Sequence, residues 1–158
     1  MHKVRGFTLI EILIVVIIVG ILATLAQFSY RTYTTRANRI DMQQTMQTIA
    51  QQMQAYKAGN NFSYTNATFA SSSSVGLVNS TTAISSQYPA SNPLYTLVLT
   101  VPDNIVDPAG SSWRLTATPV LTGAQKGNGI LVITDQGWTC WNKTNTCAPS
   151  STTTWDGK

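Results

Sequence analysis

Histidine is almost missing from this chain: among 158 residues the single one is His2, and carboxylates number only six. Catalysis through an imidazole therefore has almost nothing to draw on. No glycine-rich phosphate loop and no cluster of metal-ligating residues occurs either, so neither nucleotide nor metal chemistry is indicated. Charged residues make up 10% of the chain, and Ser, Thr, Asn and Gln take their place, a balance that suits a protein held outside the cytosol and packed against neighbours. The length allows one compact domain with a modest core and excludes a large multidomain enzyme. A net charge of +4 suggests a basic protein, yet Lys3, Arg5, Arg31, Arg36 and Arg39 only flank one apolar run, and no long basic face remains for nucleic acid. Proline does not occur before Pro89. Cysteine occurs twice, at Cys140 and Cys147. Two ligands are too few for a metal site, and the pair reads as a disulfide in an exported protein or as free thiols in a cytosolic one.

What the chain does have is the stretch RGFTLIEILIVVIIVGILA, Arg5 to Ala23. From Ile12 to Tyr30 no side chain is charged, and these 19 residues would make a helix of about 28 Å, close to the thickness of bilayer hydrocarbon. The basic start and the small residues of Thr24-Leu25-Ala26 also fit a secretory signal peptide cut after Ala26. Glu11 argues against that simpler reading. A carboxylate in the apolar part of a membrane helix costs about 2.5–3.5 kcal/mol on insertion scales, so it needs a partner or a function. Its place in the first helical turn, where the helix dipole favours an anion, returns only about 0.3–1 kcal/mol.

The hexapeptide Gly6-Phe7-Thr8-Leu9-Ile10-Glu11, set after a short basic leader and before a long apolar helix, resembles the type IV pilins. The resemblance implies that residues 1–6 are a leader removed by a prepilin peptidase between Gly6 and Phe7, and that the new amine of Phe7 is methylated. It implies that 7–30 is kept as a membrane span that later becomes filament core. It also gives Glu11 a partner, the Phe7 amine of a neighbouring subunit, so that two buried charges cancel and the axial register is fixed. The charges flanking the span nearly balance, so they do not orient it. The leader's likeness to prepilins is what places Met1 in the cytoplasm and the rest of the chain outside the inner membrane.

Residues 31–158 then form the head. Tyr33, Ala37, Ile40, Met46, Ile49, Met53 and Tyr56 are expected along one helical face turned to the head's core, with glutamines over much of the rest and a stop at Gly59-Asn60. Helix from Phe7 to Ala58 would be roughly 75 Å long. Gly20 is the one helix-weakening residue in the span, and the helix-breaking proline that many pilins carry there is missing. Residues 59–93, rich in Ser, Thr and Asn, read as a connecting loop. Within it Asn66 and Asn79 open glycosylation sequons, as Asn142 does later, but such matches arise easily in a Thr-rich chain.

Strands are expected at Leu94–Val101, Trp113–Val120 and Gly129–Asp135, with a short fourth at Trp138–Trp141, giving an antiparallel sheet over 94–141 and an α+β class. The export that the resemblance implies makes Cys140–Cys147 a disulfide closing a C-terminal loop, contributing on the order of 2–3 kcal/mol. Trp141 and Trp155, if exposed, would be adhesive candidates, although a tryptophan near a tail is as often packed against the sheet. Asp103, Asp107 and Asp135 fall in turns, and DPAGSSW (Asp107 to Trp113) is similar to a segment near the calcium loop of pseudopilins but has too few acidic neighbours for a calcium site.

The combined expectation is a non-enzymatic structural subunit without cofactor or metal, most similar to a PilE-type minor pilin. Its implied partners are other pilin subunits, the prepilin peptidase, the pilus assembly machinery and the inner membrane before assembly. The filament would serve twitching motility, adhesion or DNA uptake, and binding of DNA or a surface is conceivable. The rival readings are a type II secretion pseudopilin and an exported adhesive or carbohydrate-binding domain.

Overall fold

The structure, a computed structural model, describes residues 7–65, 67, 86–101, 110–144 and 146–156. It divides into two compact units, Met1–Ala37 and Asn38–Lys158. One helix, α1, runs through Leu9–Gly59. It continues without interruption past Gly20, around which a Cβ atom would meet nothing within 4 Å. In the first unit every large apolar side chain from Leu9 to Leu25 is exposed in the isolated chain. By length and composition, α1 is long and apolar enough to cross a membrane.

In the second unit the helix is two-sided. Met42, Met46, Ile49 and Met53, spaced by four, three and four, are fully buried. They meet Tyr95, Leu97, Leu115, Ala117, Leu131 and Ile133 of the sheet in one core. The single face expected from Tyr33 through Tyr56 is not what forms. Tyr33 is 73% exposed, Ile40 is 44% exposed, and Ala37 is exposed as well. The reason is geometric: residues three or four apart share a side, but the six-residue step from Ile40 to Met46 turns the helix by about 240°. Met42 is the core residue on that turn, and the expected spacing passed over it.

The helix stops where Gly59-Asn60 predicted. The Phe62 amide closes back on Lys57 O at 3.0 Å, and Asn61 and Phe62 take positive φ values of 50° and 58°. Tyr64 then ties the chain to Gly110, its N–H donating to Gly110 O at 2.7 Å. Gly110 has φ +81°, and a Cβ there would collide with Ser63 and Thr65. Only glycine fits this close approach.

The sheet is a five-stranded antiparallel meander of β1 (Gln87–Tyr88), β2 (Tyr95–Thr100), β3 (Arg114–Pro119), β4 (Ile130–Thr134) and β5 (Thr139–Asn142), in chain order. Cross-strand register puts Leu97, Ala117, Leu131 and Trp141 in one row and Leu99, Leu115 and Ile133 in the next. Alternation sends these to the helix and leaves Thr96, Val98, Thr100 and Thr118 exposed. All of β4 is buried, because on its outer face Ile130 and Val132 form a second small cluster with Cys140, against which Cys147 packs. Strand β1 is an addition to the four strands expected; it lies in the Ser/Thr-rich stretch read as loop. It is held by Tyr88, whose hydroxyl donates to Asp41 Oδ2 at 2.8 Å and whose carbonyl accepts from Leu94 N. Most of the connecting stretch, including Asn66 and Asn79, lies outside the described residues.

The two sides of α1 make unlike predictions. Met46→Ala should lower head stability by about 2–5 kcal/mol, a buried large-to-small change, whereas Ile40→Ala should cost less than about 1 kcal/mol. Chemical unfolding of the detergent-solubilised protein, followed by tryptophan fluorescence, measures both. Equal losses would contradict the two-sided packing.

Candidate processing and assembly site

The first turn of α1 is capped by Thr8. Its carbonyl accepts from Glu11 N at 3.2 Å and from Ile12 N at 3.4 Å, and its Oγ1 lies 3.4 Å from Glu11 N. Thr8 is thus the N-cap and Glu11 the third helical residue, the spacing of a capping box. The sequence signal for this was Thr-x-x-Glu, which the dipole argument alone did not use. The Glu11 side chain is exposed, as is Phe7 at 79%. Phe7 immediately precedes the cap and lies just outside the helix, one residue before the turn that carries Glu11. Gly6, with the rest of 1–6, lies outside the described residues. Capping explains why glutamate is locally acceptable here. Together with the dipole it is worth on the order of 1–2 kcal/mol, less than the cost of a carboxylate in hydrocarbon.

A family model for the prokaryotic N-terminal methylation motif matches residues 1–26, the segment containing this turn and most of the apolar run. That match marks a type IV prepilin-like protein, the kind of chain that prepilin peptidase processes and that assembles with other pilins. The long apolar N-terminal helix with a five-stranded antiparallel sheet is the α+β type IV pilin fold. Neither a curated protein nor a solved structure matches the chain significantly.

The head places its four tryptophans very differently. Trp113 is fully buried, its ring edge-on to Tyr64 with centroids 6.3 Å apart. Trp155 is half-buried, with its Nε1 donating to Val132 O at 3.1 Å. Trp141 lies under the Arg39 guanidinium, 3.9 Å from the ring centroid, and donates to Asn128 O at 2.8 Å. Neither Trp141 nor Trp155 is therefore free as the exposed adhesive residue considered from sequence, because cation–π stacking and indole hydrogen bonds hold both against the head. Trp138, in the β4–β5 turn, is the exposed one.

Arg39 also donates to Asn128 Oδ1 at 3.0 Å, and Asn128 Nδ2 donates to Gln125 Oε1, which in turn accepts from the Tyr95 hydroxyl at 2.9 Å. Burial pushes the Tyr95 hydroxyl above its ordinary pKa. This network joins α1, the β3–β4 loop and β2, with Trp141 of β5 against Arg39 and Asn128, and separated positions in sequence gave no sign of it. Beside it, Cys140 and Cys147 are disulfide-bonded with Cα atoms 6.0 Å apart. Among the described residues no group of three His, Cys, Asp or Glu side chains converges as a metal site. Asp103 and Asp107 lie outside them.

Removing the stacked cation tests the network. Arg39→Ala should destabilise the head by about 1–3 kcal/mol, combining a partly shielded cation–π contact with a charged hydrogen bond. Trp138→Leu should stay within about 0.5 kcal/mol. Urea unfolding of the full chain in detergent distinguishes them, and an Arg39→Ala variant as stable as Trp138→Leu would contradict the assignment.

Proposed function

We propose that the chain is a minor pilin of a type IV pilus. It is cut by prepilin peptidase between Gly6 and Phe7, methylated on Phe7, held in the inner membrane with its leader in the cytoplasm, and then drawn into an extracellular filament. On this reading 1–6 is leader, 7–30 is span and filament core, and 31–158 is head. The observation that carries the proposal is the methylation motif of residues 1–26 set on an apolar helix whose third residue is Glu11. Cleavage would leave a cationic amine at Phe7. In a filament that amine needs an anion of equal depth in the apolar core, and a neighbour's Glu11 supplies one. An ion pair in low dielectric persists only when both members are present, so Glu11 acts as a register pin rather than as a source of raw affinity. The filament's work in twitching, adhesion or DNA uptake belongs to the assembled fibre and its heads.

Glu11→Ala separates assembly from folding. The variant lacks a charge that costs about 2.5–3.5 kcal/mol in the bilayer, so it should remain cleaved and membrane-resident, with an intact head. It leaves a neighbour's Phe7 amine without its partner, a loss of about 3–5 kcal/mol in a buried setting. Sheared surface pili, compared at matched cellular levels of variant and wild type, should contain little of the variant. Equal incorporation would contradict the pairing. Replacing Gly6 with a bulky residue should leave uncleaved precursor in the membrane, and normal mature protein from that variant would contradict processing at this bond.

A further inference from the structure

The residues at the end of the apolar run form a ring around α1. Tyr30, Arg31, Tyr33 and Arg36 are all exposed, the two tyrosines at 69% and 73%. At about 100° of turn per residue they lie near 0°, 100°, 300° and 240° about the helix axis, leaving no gap wider than about 140°. A contact with one packed neighbour gathers its residues into a stripe along one side. A ring suits something that surrounds the helix. Thr34 Oγ1 donates to Tyr30 O and Arg31 O, both at 3.0 Å, so the hydroxyl set among the four is turned inward to the helix backbone. No carboxylate occurs between Glu11 and Asp41. Neither arginine therefore has an anion at the three- or four-residue spacing at which helical side chains meet, and the Asp41 carboxylate accepts the Tyr88 hydroxyl.

We infer that this ring is a lipid-binding collar, in which Arg31 and Arg36 hold the phosphates of anionic phospholipids in the leaflet next to the head while Tyr30 and Tyr33 seat at the same boundary. The inference rests on the reading of 7–30 as a membrane span. Its occupant follows from place and charge. The uncharged run ends at Tyr30, so a span that starts near Ile12 brings the ring to the far headgroup layer. A tyrosine there keeps its ring against hydrocarbon and its hydroxyl in water. A guanidinium meets a phosphate through paired N–H donors, which an ammonium cannot reproduce. A zwitterionic headgroup brings its own cation to compete for that phosphate, whereas a lipid of net negative charge leaves the phosphate to the arginine. The collar therefore selects anionic lipid. On the proposed orientation both arginines lie away from the cytoplasm, where the orientation rule gives basic residues no advantage, and headgroup phosphate supplies a local reason for them.

The test reconstitutes the full-length protein in bilayers of equal phosphatidylcholine and phosphatidylglycerol, extracts it in mild detergent, and identifies by mass spectrometry the phospholipid that stays bound. Wild type should retain phosphatidylglycerol over phosphatidylcholine by about tenfold or more, since each arginine near an anionic surface gives about a fivefold preference. Arg31→Gln/Arg36→Gln should bring the ratio near one. Lys126→Gln/Lys143→Gln, which removes the same charge from exposed positions of the head, should leave the ratio as in wild type. A wild-type ratio near one would overturn the inference, and so would an equal fall in both double variants, which would assign the preference to net charge. Should the arginine variant fail to insert, a photo-crosslinking residue at Tyr33 in the otherwise unaltered chain decides: adducts to phosphatidylglycerol support the collar, and adducts to protein alone would overturn it. Release of the wild-type protein from the bilayer by alkaline carbonate would overturn the span reading and this inference with it, whereas a firmly inserted protein without lipid preference would leave the span reading standing.

Discussion

Burial of Met42, Met46, Ile49 and Met53 along one side of α1 is the contact on which the head depends. A helix offers one apolar stripe to one layer, and here the layer is a narrow antiparallel sheet whose inner rows supply aliphatic and aromatic partners. Once that stripe is committed, the rotation of the helix about its own axis is set. Arg39 then lies over Trp141 and within reach of Asn128, and the glutamines lie opposite the sheet. Methionine suits the role, because its flexible side chain fills the irregular gap between a helix and a twisted sheet.

The second constraint acts at the other end of the same helix. Among the described residues the large apolar side chains from Leu9 to Leu25 are all exposed, and association with a bilayer, or with like helices, is where their hydrophobic free energy can be realised. Glu11 stands out against that surface. Thr8 gives it a local structural reason, the capped first turn, and the proposed pairing with a neighbour's Phe7 amine gives it a functional one. The two are compatible, since a helix start that is already capped holds the carboxylate at a fixed depth.

Much of this was legible in the residues. The methylation motif, the long apolar helix, the helix stop at Gly59-Asn60 and the strands around Leu97, Leu115 and Ile133 are local signals, written in runs of a few residues. The division of the helix into two sides was misread. Tyr33, Ala37 and Ile40 are individually plausible core residues, but all three are exposed, and within the head only the phase across Met42 shows that Ile40 faces away from the sheet. Strand β1 was hidden because two residues in a polar stretch carry no periodicity. The network of Arg39, Asn128, Gln125 and Tyr95 was not legible at all, since its members are separated by 89 positions between Arg39 and Asn128 alone and no local pattern links them. Trp141 and Trp155 looked alike as tail aromatics, and only the positions of Arg39 and Val132 explain why each is held down.

The central claim is that the apolar helix is retained after processing and enters a filament, rather than being discarded as a signal peptide. Mass spectrometry of the mature N-terminus, on protein recovered from membranes and from sheared pili, tests it most directly. The account predicts a chain that begins at Phe7 and carries one methyl group on its α-amine. A mature chain beginning at Gln27, with the apolar segment removed after Ala26, would contradict it.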